Sequence, residues 1–374
     1  MPKLIAFYLP QYHEINENNM WWGKGFTDWT NVKKALPLYK NHRQPRVPYN
    51  ENYYDLTDPA AQEWQSELAT RYGIGGFCYY HYWFGGKPLL EKPMENMLKN
   101  RRIKIPFCVS WANEPWTRSW DGGNKKILIN QEYGGETDWE KHFNYLLPFF
   151  SDPRYITIDD KPVFLIYRYS SIKNSGQMLD FFQRSAKNSG LKGLHIVSTI
   201  HGRSLKKIDG PLIDAFARFE PMYTLIHSFP FLFRLRRFFK RNILGKAFMK
   251  MDKFYPGLRN IDYDIINKKI EKGLPFKTGK PIYSGAFTGW DNTPRRGREG
   301  LIMEGEGADK FKGYFERALD KAIEKNESLF FINAWNEWAE GAYLEPDTDN
   351  GYAYLEAVRV CLKQRGLYAE GTET

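Results

Sequence analysis

Cysteine is scarce in this chain: Cys78, Cys108 and Cys361 are the only three in 374 residues. They are too few and too scattered for a disulfide framework or a zinc motif. Cys78 and Cys108 fall inside apolar runs and read as buried core thiols. No stretch approaches the roughly 18 apolar residues that a membrane-spanning helix needs. Met-Pro-Lys followed by Leu4–Leu9 shows no charged leader, long apolar segment or cleavage site, so the expected location is the cytoplasm. The first apolar run is not followed by a Gly-x-Gly-x-x-Gly turn, which takes support from a dinucleotide-binding sheet. Ser198 and Ser284 lie within strand patterns and outside any nucleophile elbow, so a Ser-His-Asp triad has no support.

Negative charge is also in deficit, and the net charge is +10. The imbalance is local. Between Ser228 and Tyr255, Arg234, Arg236, Arg237, Lys240, Arg241, Lys246, Lys250 and Lys253 stand against Asp252 alone. A chain whose basic character sits in one segment is not expected to bind nucleic acid over its whole surface. Within that segment, residues 229–246 interleave aromatic and aliphatic side chains with cations, as an interfacial helix does. A lid, a patch for acidic lipid or acidic glycan, and a solvated helix packed on the main body all fit the pattern.

Aromatic residues are abundant, at 17% of the chain, with 12 Trp, 24 Tyr and 26 Phe. Phe can be absorbed by a core, whereas Tyr and Trp carry polar atoms that need partners. Such rings beside Asn, Asp, Glu and Arg suit a sugar site, and a core rich in large side chains fits the composition equally well.

Apolar and β-branched runs predict strands over Leu4–Leu9, Gly76–Trp83, Phe107–Trp111, Val163–Tyr167, His195–Ile200, Ala215–Glu220, Ile282–Phe287 and Leu329–Trp335. Helical spacing recurs between them, over Pro59–Tyr72, Leu89–Asn100, Trp139–Phe150, Gln177–Ser189, Asp264–Glu271, Asp309–Lys325 and Tyr352–Arg365. Eight strands with intervening helices predict an α/β fold, a (β/α)8 barrel in one domain over 1–374, with an insertion at about 222–262 after the sixth strand. A doubly wound sheet is the alternative.

In a barrel the strand C-termini open onto one face, where active sites sit. Polar and aromatic residues gather after these strands: Gln11 and His13; His81 and Trp83; Trp111, Asn113 and Glu114; Glu220; Trp290, Asp291 and Asn292; and Trp335, Asn336, Glu337, Trp338 and Glu340. Glycosidic cleavage needs one carboxyl to protonate the leaving oxygen and a second to act as base or nucleophile. Glu337 and Glu340, flanked by Trp335 and Trp338, are the first candidates, because apolar walls raise a carboxyl pKa toward neutrality. The same pair also suits the first turn of a helix. Glu114 is the reserve catalytic residue, with Trp111, Trp116, Arg118, Trp120 and Asp121 around it as a substrate-binding group; a loop pinned by an Arg118–Asp121 pair and packed tryptophans is the structural alternative. His13 and His81 suit hydrogen bonds to sugar hydroxyls, and no metal or other cofactor is expected, since their spacing to Asp121 and Asp291 follows no ligand motif.

Several stretches carry a resemblance. They are Phe7–His13, Trp21–Val32, Gly76–Phe84, Trp111–Glu114, Trp290–Arg296 and Asn333–Gly341, which together span the first strand to the last. In these the chain resembles the WbsX-type proteins of bacterial surface-polysaccharide loci, often labelled glycosyltransferases, and through them the endo-α-mannosidase glycoside hydrolases. That resemblance implies a (β/α)8 barrel without metal, acting on a polysaccharide or oligosaccharide. The mannosidases carry Asn-Glu-Trp-His-Glu-Gly, which Asn336–Gly341 matches except at Ala339, a departure that removes a potential substrate contact and leaves the carboxylates in place. Carried over, Glu337 would withdraw the sugar 2-hydroxyl proton, giving a 1,2-anhydro sugar, and Glu340 would be the general acid/base. A surface-glycan transferase and a catalytically silent glycan-binding barrel are the competing expectations.

Overall fold

A computed structural model describes residues 1–118, 126–200, 208–229, 260–273 and 278–368. Nine parallel strands dominate it: β1 (Lys3–Tyr8), β2 (Gly76–Phe84), β3 (Phe107–Trp111), β4 (Lys161–Ile166), β5 (His195–Ile200), β6 (Ala215–Arg218), β7 (Ile282–Tyr283), β8 (Gly285–Phe287) and β9 (Leu329–Asn333). From β1 to β6 each strand pairs with the next, and β9 pairs with β1.

β7 and β8 occupy one position in the ring. β7 pairs with β6 and β8 pairs with β9, so the two halves of a single strand, interrupted at Ser284, bring the sheet nearly to closure. Glu327 holds the interruption, accepting from the Ser284 backbone N–H at 2.6 Å and from its hydroxyl at 2.9 Å. The fold is therefore the expected barrel, with the predicted strand Ile282–Phe287 broken at its middle.

Side chains alternate along each strand between the barrel interior and the surrounding helices. Phe7 points inward: it stacks on Tyr80 and Phe331 of the adjacent strands and meets Phe219, beyond the end of β6, at 5.2 Å between ring centres. Tyr8 points outward, and its hydroxyl donates to Gln65. The helices are α1 (Asn16–Trp22), α2 (Asp28–Lys33), α3 (Pro59–Arg71), α4 (Lys92–Lys99), α5 (Glu136–Phe150), α6 (Ser175–Asn188), α7 (Met222–Ser228), α8 (Tyr263–Lys272), α9 (Thr293–Arg296), α10 (Ala308–Glu324) and α11 (Ala353–Gln364). Asp58 starts α3 by accepting from the Ala60 N–H, with Pro59 at the first helical position, where its missing donor costs nothing. α10 buries Phe311, Phe315, Leu319 and Ala322, an i, i+4, i+8, i+11 stripe facing the sheet.

Two short helices, α1 and α2, lie in the long connection after β1, where local periodicity predicts nothing. The basic stretch 230–246 lies outside the described residues. No helix among the described residues is long and apolar enough to cross a membrane.

Candidate active site

The chain leaves β9 and is tied at once to the strand beside it. The Asn336 amide pairs with the backbone of Leu9 in both directions, at 2.7 and 3.1 Å. Asn336–Glu337 then pairs antiparallel with Ala342–Tyr343, and Trp338–Glu340 forms one 3-10 turn between them. Residues three apart eclipse in such a turn, so Glu337 and Glu340 project to the same side. Gly341 follows in a left-handed conformation, and a Cβ there would meet the Asp291 nitrogen at 2.9 Å. Only glycine lets the turn approach Asp291 this closely. Trp338 is fixed beneath, stacked on Tyr343 with ring centres 3.8 Å apart.

Arg295, from α9, occupies the side to which both glutamates point. Its guanidinium donates to Glu337 at 3.0 Å, to Glu340 at 2.8 Å, and to both oxygens of Asp28 at 2.9 and 3.2 Å. Asp291 sets the start of α9 by accepting from the Thr293 N–H and hydroxyl, while its second oxygen is held by Gln44 and by His42 at 2.8 Å. Burial works against charge on Asp291, but the His42 hydrogen bond and the nearby Arg46 hold its pKa below the usual carboxylate range.

The two glutamates differ from the other buried acids at this end of the barrel. Arg295 takes Oε2 of Glu337 and Oε1 of Glu340, and the second oxygen of each has no hydrogen-bond partner among the described residues. Their side chains are 9% and 20% exposed. Burial pushes the Glu337 pKa up to about 8, Arg295 opposing and Glu340 and Asp28 adding to the rise. Glu340 is raised too, by burial first, with Arg295 and Arg296 pulling against it. Glu345, by contrast, accepts from Gln65, Tyr54 and Trp338, so both its oxygens are occupied.

The other predicted residues divide sharply. His81 and Trp83 do not reach the pair: they lie on the outer side of β2, His81 bonding His142 of α5 at 2.9 Å and Trp83 stacking on the same ring. Alternation gives the inner positions to Tyr80 and Tyr82, whose phenols feel the charge of both glutamates, as does Tyr167 beyond β4. Trp111 packs against His142 and Tyr133, and Trp335 against Phe77, so neither walls the glutamates. Trp290 is buried in a side cluster with Tyr263 and Phe287.

Glu220 receives the Thr224 N–H and hydroxyl, which makes it the N-terminal partner of α7 rather than a free carboxylate. Asn113 pairs with the Arg168 backbone, and Glu114 forms an ion pair with the Arg168 side chain. Arg118 donates to the Trp21 carbonyl, and Asn292 accepts from the Leu301 N–H. Gln11 is fully buried, and among the described residues neither of its amide atoms nor the His13 Nε2 has a hydrogen-bond partner. Trp120 and Asp121 lie outside the described residues. Asp28 and Arg295 escaped the residue-by-residue reading although both sit in stretches that carry the resemblance; they are 267 positions apart, and no local pattern joins them.

Among the described residues no cluster of three or more His, Cys, Asp or Glu could hold a metal ion. The family model described as Glycosyltransferase WbsX matches residues 4–358. The chain belongs to the WbsX family. WxcX, an uncharacterized protein of Xanthomonas campestris pv. campestris, is 34% identical in strain B100 and 35% in strain ATCC 33913, in each case over 362 residues and 96% of this chain. The chain spans about half the length of these relatives, 49% of each. Among solved structures, a GH99 endo-alpha-mannosidase from Bacteroides thetaiotaomicron bound to Bis-Tris-propane has a TM-score of 0.58 at 15% identity, with 98% of both chains covered. A glycoside hydrolase-like protein has a TM-score of 0.54 at 11% identity, covering 97% of this chain and 93% of its own. At such identities the likeness is one of fold, and this WbsX-family chain shares that barrel.

Proposed function

We propose that the chain is a carbohydrate-active enzyme, a retaining and endo-acting glycoside hydrolase or transglycosidase on a bacterial polysaccharide. The observation that carries the reading is the pair Glu337 and Glu340, each anchored to Arg295 through one oxygen and, among the described residues, unpartnered at the other. General acid–base chemistry needs carboxyls that are positioned yet uncommitted, with pKa values moved toward the working pH. Glu114 meets the first condition less well, because it is more exposed and is paired to Arg168.

In the proposed reaction Glu337, ionised, takes the proton of the sugar 2-hydroxyl. The O2 so released attacks C1, the bond from C1 to the leaving oxygen breaks, and Glu340 gives that oxygen its proton. Water, or an acceptor hydroxyl, then attacks C1 of the 1,2-anhydro sugar while Glu340 removes its proton. The C1–O2 bond opens and Glu337 returns a proton to O2. Two inversions at C1 give net retention. Endo-alpha-mannosidase is what the structural neighbour is called, and Ala339 marks where this chain departs from the mannosidase motif.

The family's description favours a second reading, transfer from an activated sugar donor. Incubation with bacterial surface polysaccharides, followed by measurement of new reducing ends, separates the two. Chain cleavage by the wild type, absent in Glu340→Gln, supports the hydrolase. Turnover of a nucleotide sugar with no cleavage supports the transferase.

A further inference from the structure

Three carboxylates share one guanidinium. Asp28 binds Arg295 through two contacts, at 2.9 and 3.2 Å, and is fully buried; the Arg295 side chain is 3% exposed. That bidentate pair is formally neutral by itself. Glu337 and Glu340 therefore lean on a cation whose charge is already matched, and with every group ionised the four side chains would carry two net negative charges in a largely buried cluster. Like charges so placed cannot both ionise freely. Among the described residues, the remaining groups facing the pair do little to relieve this. Tyr12 after β1, Tyr80 and Tyr82 on β2 and Tyr167 after β4 are phenols whose ionisation burial suppresses, and Arg296 adds one cation on the Glu340 side.

We infer that Asp28 and Arg295 are positioning residues that keep a single proton on the Glu337–Glu340 pair at neutral pH. One carboxyl is then ready to give a proton while its neighbour is ready to take one, before any substrate arrives. Arg295 fixes the two glutamates in space, and Asp28 sets the charge they experience. In the apo chain the proton belongs to the pair. A bound sugar, placing its 2-hydroxyl beside one carboxyl and its leaving oxygen beside the other, decides which carries it. The use made of this proton rests on the proposed glycoside chemistry, whereas its presence does not.

The test is infrared spectroscopy of the intact, ligand-free chain titrated across neutral pH, following the C=O stretch of protonated carboxyl groups. The component belonging to the pair is the one missing from both Glu337→Gln and Glu340→Gln, which separates it from Glu345 and Glu220. We expect it to be present at pH 7 in the wild type. Asp28→Asn removes a negative charge and should lower its midpoint by about one pH unit. Arg295→Met removes the cation and should raise it, and Arg295→Lys should restore it most of the way. Near-ultraviolet circular dichroism reports whether each variant is folded; if Asp28→Asn is not, the Arg295→Met and Arg295→Lys pair decides the matter. Absence of the component at pH 7, or midpoints that do not respond in folded variants, overturns the inference. Shifts in the expected directions without turnover of any glycan would sustain it while removing the proposed function. Glycan cleavage without the shifts would do the reverse.

Discussion

Glu337 and Glu345 stand on the same loop, both are buried, and burial raises the pKa of both. They differ in what their oxygens do. Glu345 is saturated: Gln65 donates to one oxygen, and Tyr54 and Trp338 donate to the other. Glu337, like Glu340, spends one oxygen on Arg295 and has no partner for the other among the described residues. Sequence proximity to a barrel strand and a shifted pKa therefore do not separate the two residues, and under the proposed function hydrogen-bond saturation distinguishes a reagent from a strut. Glu345 ties α3 and the segment after α2 to the loop, and in the proposed function Glu337 faces the substrate. Asp291 and Glu220, each fully committed to neighbouring donors, fall on the strut side.

The comparison breaks most visibly through activity. Glu337→Gln and Glu340→Gln should each lower kcat/KM on a cleaved glycan by about 10²–10⁴-fold while leaving the thermal midpoint near that of the wild type. Calorimetry alongside the kinetics checks both halves. Glu345→Ala should behave in the opposite way. It strands the donors of Tyr54, Gln65 and Trp338, so unfolding by denaturant should show a loss of about 2–4 kcal/mol, with the activity of the folded fraction changed less than that of either catalytic variant. An equal loss of activity in Glu345→Ala with no loss of stability would erase the distinction.

Asp291→Asn probes the link between strut and reagent. Its carboxylate starts the helix that carries Arg295, so the guanidinium should lose its register, and a fall of roughly 10–100-fold in kcat is expected, with KM moved less. A crystal structure of the variant with Arg295 unmoved would contradict that chain of contacts.

Smaller still is an effect on stability with pH. Glu337 is raised from 4.5 to about 8, and Glu345 and Glu220 to about 7. Each binds its proton more tightly in the folded chain than in the unfolded one. Their contribution is therefore complete below the ordinary glutamate pKa and is lost as pH rises through about 7 to 8. Chemical denaturation between these limits should show stability falling with pH, and Glu337→Gln should flatten that slope. An unchanged slope would mean that the carboxyl is not protonated in the folded chain.

How much of this could be read in the sequence depended on distance along the chain. Strand and helix periods are local, and the elements Phe107–Trp111 and His195–Ile200 lie where apolar runs predict them. The break at Ser284 could not be read locally, because its cause, Glu327, comes from another part of the chain. The face of a strand is also hard to fix when both faces are covered: in Gly76–Phe84 every residue is buried, so hydrophobicity does not alternate, and His81 and Trp83 looked as eligible for the site as Tyr80 and Tyr82. That Glu337 and Glu340 share one side of the turn and meet at Arg295 is foreshadowed by their three-residue spacing after a strand, which is a local sign. Asp28 and Arg295 complete the charge balance only through folding.

The central claim is that Glu337 and Glu340 are reagents and Glu345 is not. Its most direct test compares four proteins, the wild type and the Glu337→Gln, Glu340→Gln and Glu345→Gln variants, on one bacterial surface polysaccharide that the wild type cleaves, counting new reducing ends with folding verified. The account predicts cleavage by the wild type and Glu345→Gln and none above background by the other two. Cleavage at the wild-type rate by a folded Glu337→Gln or Glu340→Gln chain would contradict it.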